Sequence, residues 1–122
     1  MDFVHLISKE ARHKIIQVMI ESSTSMRELA SRLGVSATAI HKYSTGKTHP
    51  SDEILIRILN IASYSEKKRI ARIIEEDLAK GLRGFIEWGI ENGLLTPGDI
   101  RKLEDVILKS SLAIIGKKTL AV

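Results

Sequence analysis

The sequence predicts an all-α protein: an N-terminal helical domain followed by a C-terminal helical hairpin. Three observations point there. Alternation of apolar and polar residues, the mark of a half-buried strand, is nearly absent. Apolar residues recur instead at helical spacing along almost the whole chain. Caps and breakers fall where such helices must begin and end, at Gly34, Gly46, Pro50, Asn92-Gly93 and Thr96-Pro97. A chain of 122 residues suits one compact domain or a small domain with an appendage. The division is placed after Tyr64, giving residues 1–64 and 65–122.

The elements follow in order. Ser8 caps a first helix whose apolar face is Ala11, Ile15, Val18 and Met19. Glu21-Ser22-Ser23-Thr24 stops it, because these side chains bond their own backbone in turns. Residues 1–7 either extend this helix or form a short one that docks on a neighbour. Ser25 and Glu28 have the spacing of a reciprocal cap for the second helix, with Leu29, Ala30 and Leu33 inside. Gly34 ends it, free to take positive φ. Ser36 caps a third helix through Ser44, with Ile40 and Tyr43 inward. Gly46 and Pro50 punctuate a loop, and Ser51 or Asp52 caps a fourth helix carrying Ile54, Leu55, Ile58, Leu59 and Ala62. Ser65 opens a long segment without a breaker until Asn92, a span of roughly 40 Å as helix. Gly81, Gly84 and Gly89 each weaken it by up to about 1 kcal/mol, which predicts a kink or break near Gly81 to Gly84. Thr96-Pro97 starts the last helix, with Ile100, Leu103, Val106, Ile107, Ser111 and Ile114 on one face. It is expected to end near Gly116 and leave Lys117 to Val122 as a tail.

Composition narrows the function classes. No run of about 18 uncharged apolar residues is present, so no membrane partner is indicated. The N-terminus lacks the pattern of a secretory signal. There is no cysteine, which excludes disulfides and thiolate metal sites and fits a cytoplasmic protein. Ile is abundant while Gln17, Asn60 and Asn92 are the only side-chain amides, the tendency of heat-adapted (thermophile) proteins. The net charge of +4 is too mild to identify a partner by itself. Its distribution says more. From Ser36 to Ser51 there are two lysines, two histidines and no acidic residue, the pattern that a phosphate-facing surface requires.

That stretch overlaps a recognisable constellation. Two helices crossing at a tight turn need a small residue at the crossing, a turn residue four positions on, and a buried branched residue in the second helix. Ala30, Gly34 and Ile40 meet those needs, with Val35 filling the turn and Leu29 and Leu33 inside. Ala37, Thr38, His41 and Lys42 then face outward, small or polar enough to enter a DNA major groove. The segment from Ser25 to Ser51 resembles the helix-turn-helix of the Cro and C1 repressor family, the xenobiotic-response-element-like regulators, down to Gly46-Lys47 and Pro50-Ser51 in the loop. The likeness covers about residues 8–63.

The resemblance implies a double-stranded-DNA-binding transcriptional regulator. Ser36 would cap the recognition helix and meet a phosphate. Ala37, Thr38 and Lys42 match base-reading positions, with His41 nearby. Ser25, Arg27, Thr45 and Lys47 match backbone-contacting ones. Met26 stands where the family commonly has Gln, and Ala37 where many members have Gln or Arg. Ala37 can touch a thymine methyl but cannot form a bidentate bond, so shape readout is expected to carry more of the specificity.

Other motifs fail on context. Gly46-Lys47-Thr48 resembles the end of a phosphate-binding loop, but His41 occupies its first glycine position and no strand precedes it. Gly81-Leu82-Arg83-Gly84 has the spacing of an RNA-binding loop without its mixed helix and sheet context. The four histidines have no metal-ligand spacing and read as solvated or DNA-facing. Glu75-Glu76-Asp77 reads as a solvated acidic face, and Phe85 and Trp88 as core or interface. No nucleophile, acid–base pair or metal set emerges, so no enzyme and no cofactor is expected. Lys67, Lys68, Arg69 and Arg72 form a basic cluster that reads either as a contact to DNA flanking the site or, by preference, as a solvated face. The C-terminal apolar stripes suggest a hairpin that must pack on the N-terminal part, on a second copy or on another protein. A homodimer is expected. The alternatives are an interaction adaptor or antitoxin-like partner, and a regulator that senses an unidentified small molecule.

Overall fold

Ser8, Ser25, Ser36 and Ser51 each turn the chain into a helix by the same bond. Each hydroxyl accepts the backbone N–H three residues on, from Ala11, Glu28, Ala39 and Ile54, at 3.1, 3.0, 3.0 and 3.3 Å. These caps open α1 (Lys9–Ser22), α2 (Met26–Leu33), α3 (Ala37–Ser44) and α4 (Asp52–Ile61). A 3₁₀ turn at Asp2–Leu6 precedes α1, so the first residues form a separate short element. Two longer helices follow, α5 (Tyr64–Glu91) and α6 (Pro97–Ala121). The computed structural model describes residues 1–121, with side chains through residue 116. Among these residues there is no strand, and the all-helical expectation holds.

Several boundaries differ from the sequence reading. The carboxylate of Glu28 accepts the N–H and hydroxyl of Thr24, at 3.0 and 3.1 Å, rather than the N–H of Ser25, whose backbone is extended at φ −160°. The cap of α5 is Ser63, two residues before the expected Ser65. Its N–H donates to Glu66 Oε1 at 2.7 Å while its hydroxyl accepts the Glu66 N–H at 3.2 Å, a reciprocal cap. Helix α5 continues without a break through Gly81, Gly84 and Gly89. A lone glycine weakens a helix by about 1 kcal/mol but removes no hydrogen bond, and Ala79, Lys80, Leu82 and Arg83 around these positions are strong helix formers. Helix α6 likewise passes Gly116 and reaches Ala121, so residues 117–121 are not the tail expected there. Val122 lies outside the described residues.

The chain divides into two compact units, Met1–Lys80 and Gly81–Val122. In the first, α2 packs on α3 and α4, and α1 packs on α2 and α3. Ile15, Ile16 and Met19 of α1, Leu29 and Leu33 of α2, Ile40 of α3, Leu55 and Ile58 of α4 and Ile70 of α5 are fully buried. Arg12 fastens the edge of this core. Its guanidinium donates to the carbonyls of Val4, Ile7 and Pro50 at 2.8, 2.9 and 2.9 Å and to Asp52 Oδ1 at 2.6 Å. The beginning of the chain, α1 and the start of α4 are thereby tied together. Asp77 of α5 accepts the Ser8 N–H at 2.9 Å and its hydroxyl, at the positive end of the α1 dipole. Asp77 therefore does not belong to a solvated acidic face.

The second unit contains the last turns of α5, the turn 92–96 and α6. The Gly89 carbonyl accepts the N–H groups of Leu94 and Leu95 at 2.8 and 3.2 Å. The Leu95 side chain lies where a Cβ on Gly89 would stand, 2.3 Å from its Cδ1. From Gly81 to Gly116 only Gly89 is buried.

Candidate nucleic-acid interface

The turn between α2 and α3 sets the geometry. Gly34 takes the left-handed conformation, φ 69° and ψ 34°, which a side chain would disfavour. Its N–H and that of Val35 return to the carbonyls of Ser31 and Ala30 at 3.3 and 3.0 Å, closing the end of α2. Ala30 is buried at the crossing, and Ile40 seats the inner face of α3. With that face fixed, Ser36, Ala37, Thr38, His41 and Lys42 remain exposed on the other side.

The loop after α3 is wound back onto the helix. The Lys42 carbonyl accepts the N–H groups of Lys47 and Thr48 at 3.0 and 3.4 Å and the Thr45 hydroxyl at 3.2 Å. Gly46, at φ 76°, makes the reversal. Thr45 and Lys47 are thus exposed beside the last turn of α3, while Ser25 and Arg27 are exposed at the start of α2 and Met26 is half-buried. All nine candidate side chains are open to solvent. Among the described residues Arg27, Lys42 and Lys47 have no carboxylate partner.

The histidines divide. His41 is exposed on the outer face of α3. His13 is neither solvated nor DNA-facing. Its Nδ1 stands 3.2 Å from the Tyr43 carbonyl, and because a carbonyl only accepts, that nitrogen carries the hydrogen. His5 pairs with Asp52, and the His49 Nδ1 is buried without a partner among the described residues.

Three supporting side chains escaped the sequence reading. His13 and, one turn later on α1, Gln17 bond the last carbonyls of α3, the Gln17 amide donating to Ser44 at 3.0 Å. Arg57 of α4 donates to the Leu33 carbonyl at 3.0 Å and pairs with Glu53 at 2.8 Å. Carbonyls at both helix ends are thereby satisfied from elsewhere in the core unit. The only local signal was the scarcity of amides, which left Gln17 isolated without naming its partner. The basic cluster on α5 is largely engaged: Arg69 pairs with Glu21 at 2.8 Å, Arg72 with Glu75 at 3.1 Å, and the Lys68 ammonium stands 5.4 Å from the centre of the Tyr64 ring.

A family model described as helix-turn-helix matches residues 15–66, a span that takes in α1 from Ile15, all of α2, α3 and α4, and the cap of α5. This part of the chain is a helix-turn-helix domain. It is of the Cro and C1 type that the Ser25 to Ser51 segment resembles. No curated protein and no solved structure matches the chain. The helix-turn-helix family is one of DNA-binding transcription regulators, and α3 holds the position of its second helix. Among the described residues no helix is long and apolar enough to cross a membrane.

Proposed function

We propose that the protein is a sequence-preferring transcriptional regulator that lays α3 in the major groove of double-stranded DNA. The observation that carries this reading is the exposed, acid-free surface formed by α3 and its following loop, backed by the buried Ile40. In this reading Ser25, Arg27, Ser36, Thr45 and Lys47 hold phosphates and set the register of the helix. Lys42 donates to a guanine edge, with His41 beside it, and the methyl groups of Ala37 and Thr38 meet thymine methyls. A surface with so few bidentate readers leaves part of the specificity to DNA shape. The regulator acts as a homodimer in the cytoplasm, on two half-sites about one helical turn apart. Neither a cofactor nor a chemical step enters this reading. The scarcity of side-chain amides fits a heat-adapted source.

The test compares a duplex selected from a random library with unselected duplex. Lys42→Ala weakens binding to the selected site more than to random DNA. Lys47→Ala weakens both about equally and lowers the slope of log affinity against log salt by about one. A Lys42→Glu/Lys47→Glu variant that binds both duplexes as the wild type does overturns the reading.

A further inference from the structure

We propose that a groove on the first unit binds the hydrocarbon tail of a small monocarboxylate, and that Lys67 holds its carboxylate. The groove lies where the 3₁₀ turn, α4 and α5 meet, and its volume is about 370 Å³. Small-molecule sites occupy ~300–1,000 Å³. It shares no residue with the surface proposed to face DNA, so the two readings stand or fall separately.

Its wall is a ledge of the core. Ile70, 1% exposed, belongs to the buried cluster, and Leu59 of α4 and Ile74 of α5 are half-buried against the same cluster. Ala71, exposed on α5, contributes only a methyl group. Phe3, 39% exposed, supplies the wall from the 3₁₀ turn. That turn is pinned, because Val4 is buried and its carbonyl accepts from Arg12 at 2.8 Å. The site is thus formed before a ligand arrives, which lowers the cost of binding.

The wall selects the tail. Apart from Lys67 and Glu75, its side chains are all hydrocarbon. A hydroxyl or amide placed among them would give up its bonds to water without replacement. The charges select the head. Glu75 is paired with Arg72 at 3.1 Å. Lys67 has no carboxylate partner among the described residues. Standing three and four positions before Ile70 and Ala71, it shares their side of α5. One free ammonium matches one carboxylate, whereas a phosphate monoester would leave its second charge beside Glu75. Length disfavours a protein occupant. From Lys67 to Glu75 the groove follows about 12 Å of α5, and a specific protein interface needs ~800 Å² per partner.

Isothermal titration calorimetry of the full chain with decanoate tests the proposal. Decanoate binds once per chain. Hexanoate binds about tenfold more weakly, because each missing methylene forfeits its share of burial. Decanol, which lacks the charge, binds about fivefold more weakly, and decyltrimethylammonium no better than decanol. Lys67→Gln brings decanoate down to the affinity of decanol and leaves decanol unchanged, a difference that misfolding would not produce. Ala71→Phe fills the groove from an exposed helical position. Circular dichroism verifies its retained helicity, and decanoate binding is lost. Methyl resonances of Ile70 and Ile74 shift on saturation with decanoate. The proposal is overturned if decanoate does not bind, if Lys67→Gln and Ala71→Phe bind it as the wild type does, or if decyl phosphate binds more tightly. Shifts at Ile107 and Leu112 in place of Ile70 and Ile74 overturn it as well. Decanoate binding with these properties in a protein that binds no duplex upholds this site and removes the DNA reading.

Discussion

Arg12 is held by four partners, and none of them is its sequence neighbour. Its side chain is 12% exposed, and its bonds reach five, eight, thirty-eight and forty residues away. Arg12→Met would leave three carbonyls and the Asp52 carboxylate without this donor. The expected cost is about 3 kcal/mol, read in urea unfolding as a lower midpoint with an unchanged slope. Glu66 is a second such residue, 6% exposed between α1 and the start of α5. Burial pushes its carboxyl upward, but hydrogen bonds from the Ser22 hydroxyl and from the Ser63 backbone and side chain, aided by the Arg32 charge, hold it below the ordinary value. A depressed acid stabilises the fold above its unfolded value and loses that contribution as pH falls through the folded one. Stability is therefore expected to decline below about pH 4.5 partly through Glu66. Glu66→Gln should be less stable at neutral pH and flatter across pH 3 to 5, in urea titrations at fixed pH. An equal slope in both proteins would remove Glu66 from this account. Neither residue could be recognised in the sequence, because a charged side chain on a helix carries no local sign of a distant carbonyl or hydroxyl. The serine caps were legible because donor and acceptor stand three residues apart.

At the level of elements, the α2–α3 crossing is where local chemistry and tertiary packing agree. Ala30, Gly34, Ser36 and Ile40 each announce one feature of it, and the structure places each as that feature requires, while Ser25 caps α2 without the expected return bond from Glu28. Gly34 gives a clean test. A Cβ there would meet only the Arg57 Nη1, at 3.4 Å, so the penalty of Gly34→Ala is conformational rather than steric. It is expected to cost about 1–2 kcal/mol, seen as a lower melting temperature. Because α3 is also fastened by His13, Gln17 and the buried Ile40, the affinity of the folded variant for a selected duplex should change little. A loss of DNA preference with unchanged stability would instead show that the turn sets the angle of α3 alone. The boundaries of α5 and α6 were less legible. Caps and breakers give local probabilities, and uninterrupted hydrogen bonding along a long helix outweighs isolated glycines. The anchoring of α3 by α1 was not legible at all, since residues 13 and 43, or 17 and 44, meet only once the core has formed.

On the scale of the whole molecule, stability is expected to be uneven. The first unit has a buried core, the Arg12 clamp and the Asp77 contact to the start of α1. The second has, among the described residues, one buried residue, Gly89, and holds its turn largely by backbone bonds. The helical periodicity of residues 100 to 114 was visible in the sequence, but periodicity marks a face that must be covered and not its cover. If a second copy covers it, the stability of α6 depends on protein concentration while that of α1 to α4 does not. Amide hydrogen exchange resolves the two. Diluted below the dimer dissociation constant, α6 and the last turns of α5 should exchange within the time of a helix in water. The amides of Ile15, Ile16, Leu33 and Ile58 should stay protected to the full stability of the core unit. Concentrating the protein tenfold above that constant should slow exchange in α6 and leave the core unit unchanged. In Ile107→Asp, α6 should exchange rapidly at every concentration. Protection of α6 that is strong and independent of concentration in both proteins would mean that its apolar face is covered within a single chain.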